Sequence, residues 1–244
     1  MDEYQLAELR ARALGVPGSH ADTAACGELW GGLIRRELKV VLSVTTEQRE
    51  YLVLRDEPHG GAPWSGRRLE IVERVFRGAS RKALASDLGV GASTISLTLS
   101  SALAELGLHC RPMQAPPLLF VLARAARGDG IAGNVTVDRL ECVGESHCVV
   151  ARSVDSHLFS VLTPSQRAVV QHFVHGSTYA EIAARRHTSS RTVANQVAAA
   201  CRSLGVSGRG ELVQFVVSET PAGARPTRRA AGPLPETYQR SAAL

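Results

Sequence analysis

Between residues 162 and 206 the chain reads LTPSQRAVVQHFVHGSTYAEIAARRHTSSRTVANQVAAACRSLGV, with apolar residues at spacings of three and four, the pattern of short amphipathic helices. Ala180, Ile182 and Ala183 mark one helix, Thr178 to Arg186, with Thr178 as its cap. Val193, Val197, Ala200 and Leu204 mark the inner face of a second, Ser190 to Ser203, capped by Ser189 or Ser190. Two such helices across a short turn predict a helix-turn-helix. Its outer face would carry Arg191, Asn195, Gln196 and Ala199, with Arg202 further along.

Upstream the period changes twice. Leu6, Leu9 and Ala13 predict a first helix, and Leu29, Trp30, Leu33 and Ile34 a second from Asp22 to Arg36, with Trp30 as a core anchor. Glu37 to Val44 and Tyr51 to Arg55 are rich in Val, Leu and Tyr and read as a β-hairpin. From Arg67 to Leu108 three short helical pieces follow: Leu69, Val72, Val75 and Phe76; then Ala83, Leu84 and Leu88 behind a Ser80 cap; then Ala92 to Leu106. His109 to Pro117 reads as an extended link and Leu118 to Arg127 as a helix. Asn134 to Val154 reads as a second hairpin turning at Gly144-Glu145-Ser146, and Gly210 to Ser218 as a last helix. Thr220 to Leu244, rich in Pro, Gly, Ala and Arg without apolar period, is expected to be disordered.

The pattern recurs. A shift of 98 positions without gaps lays Gly78 on Gly176, Ala85 on Ala183, Thr94 on Thr192, Ala102 on Ala200 and Leu106-Gly107 on Leu204-Gly205. The same shift lays Gly32-Leu33 on Gly130-Ile131, Leu42 on Leu140, Glu47 on Glu145 and Tyr51-Leu-Val on Val149-Val-Ala. The expected fold is therefore mainly α with small β-hairpins (α+β), a helix, hairpin and three-helix unit occurring twice. The implied division is an N-terminal helix over 1–21, a first unit over 22–111, a second over 112–218 and a tail over 219–244.

Composition narrows the function classes. With 28 Lys and Arg against 23 Asp and Glu, the net charge of +5 is a mild excess that suits a polyanionic partner without requiring one. No apolar run approaches the roughly 20 residues of a membrane span, and the acidic start MDEYQLAEL lacks the basic flank of a signal peptide, so no membrane association and a cytoplasmic location are expected. Five scattered cysteines suit reduced thiols, and Cys142, His147 and Cys148 lack the spacing of a zinc site. No GxSxG, HExxH, P-loop or Rossmann fingerprint is present, so neither an enzyme nor a cofactor is expected.

The face itself has chemistry suited to double-stranded DNA. Asn195 and Gln196 can pair bidentately with adenine in a major groove, and Arg191 beside a helix N-terminus suits phosphate or guanine. Residues 162–213 also resemble the LuxR-type (GerE-like) DNA-binding domain: Leu162-Thr-Pro164, Gly176 with Thr178 in the place of the family's Ser, Glu181-Ile182-Ala183, Thr192-Val193, Val197, Leu204-Gly205-Val206 and Glu211-Leu212-Val213. The resemblance implies a bacterial transcription regulator in which Thr192 and Arg191 approach phosphate and base edges; Thr178, Tyr179, Asn195, Gln196 and Arg202 complete the candidate DNA contacts of this unit. The sequence departs from the family at Gln166, where an acid is usual, and at Ala199, where Asn is usual, and it replaces basic residues of the family at Ala194, Gln196 and Ser203, which implies weaker phosphate binding.

The first unit resembles the family less closely, through Gly78, Ser80, Leu84-Ala85, Leu88-Gly89-Val90, Ser93-Thr94-Ile95, Leu99 and Leu106-Gly107-Leu108. Its outward positions Ser93, Ser96, Thr98 and Ser101 carry no charge, and Glu105 stands where a cation is usual. Ser93, Thr94 and Thr98 are its candidate base contacts, with Arg81 and Lys82 as its phosphate contacts. Two function readings stand: a sequence-specific regulator, acting as one chain with two reading heads or as a homodimer, and a protein-interaction helix-turn-helix that binds RNA polymerase or another regulator with little DNA binding.

Overall fold

The computed structural model describes residues 2–46, 48–64, 66–128, 135–153 and 159–218. Glu47, Gly130-Ile131, the predicted ends of the second hairpin at Asn134 and Val154, and the tail 219–244 lie outside them. Helix α1 (Glu3–Gly15) is followed by a two-residue strand β1 (Ser19–His20), α2 (Thr23–Ile34), β2 (Leu38–Thr45) and β3 (Arg49–Asp56). Then come α3 (Gly66–Phe76), α4 (Arg81–Asp87) and α5 (Ala92–Glu105). A 3-10 turn (Pro112–Gln114) leads to α6 (Pro117–Ala125), β4 (Val135–Cys142) and β5 (Glu145–Ser153). The described chain ends in α7 (Pro164–Val174), α8 (Tyr179–Arg185), α9 (Ser190–Leu204) and α10 (Arg209–Ser218).

The two predicted hairpins join edge to edge into one antiparallel sheet, in the order β1-β4-β5-β3-β2. The reason lies in the central strands. Tyr51 to Leu54 and Val149 to Arg152 are buried on both sheet faces, so neither strand can form an edge. One face packs on the main core under α2 and α6. The other, with Val44, Tyr51, Val53, Cys142, Val149 and Ala151, is covered by Leu9 and Ala13 of α1. Trp30 is 1 % exposed at the centre of the main core, its ring tilted against Phe76, which in turn packs edge-on against Phe120.

The 98-residue offset is visible in the backbone. α3 and α7 begin and end 98 apart (66 and 164, 76 and 174), as do α4 and α8 (81 and 179, 87 and 185), and α5 and α9 both start at the offset (92 and 190). Left-handed backbone recurs at matched places: Gly78 and Gly176, Gly89 and His187, Gly107 and Gly205. Leu52 pairs with Val150, its own counterpart at the offset, so β3 and β5 are related by a local two-fold axis through that pair. The offset fails before the second turn. Thr136 faces Ala151 where Leu42 faces Val53, so the pre-turn offset is 94 (136 less 42) while the post-turn offset remains 98 (151 less 53). The second hairpin is thus four residues longer. Its turn falls at Val143-Gly144, one position before the expected site, because Glu145 already pairs with Cys142.

Other differences are local. The expected extended link contains the 3-10 turn, and Ala83 and Ala180, expected inward, are exposed, because each sits on the solvent side of its short helix. The expected caps are present: Thr178 caps α8 from just outside it, and of the two candidates Ser189 and Ser190 it is Ser189 that caps α9.

Two left-handed glycines sit against neighbouring segments, one of them across the two units. Gly176, between α7 and α8, has φ +90 and lies against Gln114 backbone; Gly78, between α3 and α4, has φ +102 and lies against the side chain of Gln214. A Cβ at Gly176 would stand 2.7 Å from Gln114 Cα, whereas one at Gly78 would stand 2.8 Å from a movable amide carbon. Gly176→Ala is therefore expected to cost roughly 2–4 kcal/mol, combining left-handed strain and overpacking, and Gly78→Ala distinctly less. Urea unfolding of the two variants checks the order.

Candidate nucleic-acid interface

The α7–α8–α9 unit is built by its caps. Thr163 and Gln166 form a capping box on α7, and Thr178 and Glu181 form another on α8, in which Glu181 accepts the Thr178 N–H at 2.7 Å and Thr178 Oγ1 accepts the Glu181 N–H at 3.2 Å. These hydrogen bonds and the nearby Arg185 hold the Glu181 carboxyl below its usual range. Ser189 Oγ accepts the Thr192 N–H at 3.0 Å and starts α9. Gly205, in left-handed backbone, ends it. Ile182 and Ala183 meet Val193, Val197, Ala200 and Leu204 in the core.

This orientation decides which candidates face out. Arg191, Thr192, Asn195 and Arg202 are all exposed on α9. Gln196 is not: it is half-buried at the flank of the Val193–Val197 stripe, and its amide oxygen is buried without a hydrogen-bond partner among the described residues. Thr178 is half-buried and occupied as a cap. Tyr179 is 38 % exposed, with its ring stacked on Phe173 at 5.4 Å. In the first unit Lys82, Ser93 and Thr94 are exposed, Thr98 is half-buried, and Arg81 directs Nη1 to Ser96 Oγ at 3.4 Å.

The charge on the two units is handled differently. Around α3–α5, Arg74 pairs with Asp87 and Glu70, Arg77 with Glu73, and Arg68 and Arg36 with Glu105. Around α8 and α9, Arg185, Arg186, Arg191 and Arg202 make no ion pair among the described residues. The second unit therefore presents open positive charge where the first has spent most of its own internally. Glu105 is held by Trp64 Nε1 at 2.9 Å and Arg68 at 2.6 Å. Burial opposes its charge, but those hydrogen bonds and the Arg68 and Arg36 charges outweigh it and keep the carboxyl below its usual range.

A buried polar cluster lies behind α7. Glu50, 2 % exposed, has Oε1 at 3.6 Å from Arg152 and 3.2 Å from His175 at the end of α7, and neither carboxylate oxygen is hydrogen-bonded among the described residues. Burial pushes Glu50 up against the pull of Arg152 and Arg209. Burial, then the Arg152 and Arg209 charges, pushes His175 down to about 4, so its imidazole is neutral at pH 7. Arg209 donates to the carbonyls of Phe173, Val174 and Ala115, locking the start of α10 to the end of α7. Sequence reading marked none of these as a unit, because the partners come from four separated segments.

Residues 156–204 match the family model Sigma-70, region 4, which supports a helix-turn-helix of the DNA-binding, transcription-related kind in this part of the chain. No curated protein matches the chain. No helix among the described residues is long and apolar enough to cross a membrane.

Proposed function

We propose that the chain is a sequence-specific, DNA-binding transcriptional regulator of bacterial type rather than an enzyme, and that it consists of two fused LuxR-like helix-turn-helix modules of which the second is the principal reader. The observation that carries this reading is the exposed face of α9, where Arg191, Asn195 and Arg202 stand together while Arg185 and Arg186 on the preceding helix and turn make no ion pair among the described residues. Exposed guanidinium groups attract phosphate, and an exposed Asn at mid-helix fits an adenine edge. The local two-fold relation of β3 and β5 supports a single chain acting as a pair of heads, without a homodimer.

Selection of bound sequences from a random duplex pool by the full chain tests the reading. The expected result is an enriched motif bound at a ratio of one chain per duplex, with affinity falling steeply as salt rises. Absence of duplex binding at low salt would favour the protein-interaction reading, in which the uncharged α5 face docks on RNA polymerase or another regulator.

A further inference from the structure

The outward face of α5, opposite the buried stripe of Ile95, Leu99, Ala102 and Leu103, contains a large apolar residue. Leu97 is 71 % exposed, the most exposed large aliphatic residue on α4 and α5. Its counterpart at the 98-residue offset is Asn195 (97 and 195), the mid-helix polar residue of α9, and the offset is well founded here because α5 and α9 start at matched positions. The neighbours match as well. Ser93 and Arg191, Thr94 and Thr192, Ser100 and Ala198, and Ala104 and Arg202 are exposed in both helices, while Thr98 and Gln196 are half-buried in both.

A single exposed leucine is ordinary on a protein surface. What distinguishes this one is its place at the centre of a helix face that is otherwise small or hydroxylated, next to Ser96, to whose hydroxyl Arg81 at the start of α4 directs Nη1 at 3.4 Å. Glu105, at the end of the same helix, is engaged by Arg68, Arg36 and Trp64 and so is not left to repel phosphate. In a major groove, thymine alone offers an apolar methyl group to a side chain at such a position. Resting on the DNA-binding reading above, the geometry points to Leu97 as a specificity-determining residue of the first module, which makes apolar contact with a thymine 5-methyl group. The two heads then read different half-sites, one through Asn195 and adenine, the other through Leu97 and thymine.

The test uses the duplex selected by the full chain, with each thymine replaced in turn by deoxyuridine, which removes only the methyl group. Fluorescence anisotropy is expected to show about fourfold weaker binding at one thymine outside the half-site disturbed by Asn195→Ala, the value of one buried methyl. Leu97→Ala, at an exposed position that folding does not need, is expected to weaken binding to the thymine duplex similarly and to be indifferent to deoxyuridine there. Specific binding with no deoxyuridine effect anywhere, or an unchanged deoxyuridine profile in Leu97→Ala, overturns the assignment while leaving the DNA reading intact. Failure of the chain to select any duplex overturns both.

Discussion

Replacing Arg152 alone by Leu is expected to lower stability by about 3–5 kcal/mol at pH 7, whereas replacing Glu50 by Cys and Arg152 by Leu together is expected to be neutral or stabilising. The sheet supplies the control. Glu50 faces Arg152 across β3 and β5, and the two-fold relation carries that pair onto Cys148 and Leu54, which also face one another. The double substitution thus copies into one half the apolar pair already housed in the other. Glu50 loses more from burial than Arg152 returns, at 3.6 Å and without a hydrogen bond, so removing both charges sacrifices little. Removing only Arg152 leaves a buried carboxylate beside a neutral His175. Because the folded pKa of Glu50 is raised, its cost is present as pH rises above the folded value and vanishes below the usual value of 4.5. The deficit of Arg152→Leu should accordingly shrink between pH 7 and pH 5 in denaturant titrations. A double variant as unstable as the single one, or a deficit independent of pH, would refute this account.

Most helices were legible because they carry local signatures: apolar residues at spacings of three and four, an Asp, Ser or Thr cap on α1, α2, α4, α7, α8 and α9, and a glycine that ends α9. The joined sheet was not, since pairing β3 with β5 spans about 98 residues and leaves no local mark on either strand. β1 is too short to show any period. At the site, the rule that polar means outward and apolar means inward failed at the two places where it mattered. Gln196 sits at the edge of the stripe and is half-buried, while Leu97 sits opposite the stripe and is exposed. Glu105 read as a missing cation, yet its partners Arg36, Trp64 and Arg68 come from a loop and a helix well before it in the chain. Local pattern placed the elements; only their three-dimensional register showed which charges remain open.

That distinction sets the expected behaviour of the arginines proposed to face DNA. Arg191, in the first turn of α9 and free of ion pairs among the described residues, is available to phosphate or a guanine edge. Arg191→Ala is expected to weaken binding of the selected duplex roughly 10- to 100-fold and to reduce the slope of log affinity against log salt by about 0.9. Asn195 carries no charge, so Asn195→Ala should leave the salt slope unchanged and relax preference at one adenine by about 1–3 kcal/mol. Arg74 is the matched control: equally an arginine on a helix-turn-helix unit, but held by Asp87 and Glu70. Arg74→Ala should leave both affinity and slope unchanged. If Arg74→Ala lost as much as Arg191→Ala, binding would follow total charge rather than the open face of α9, and the second module would lose its claim to be the reader.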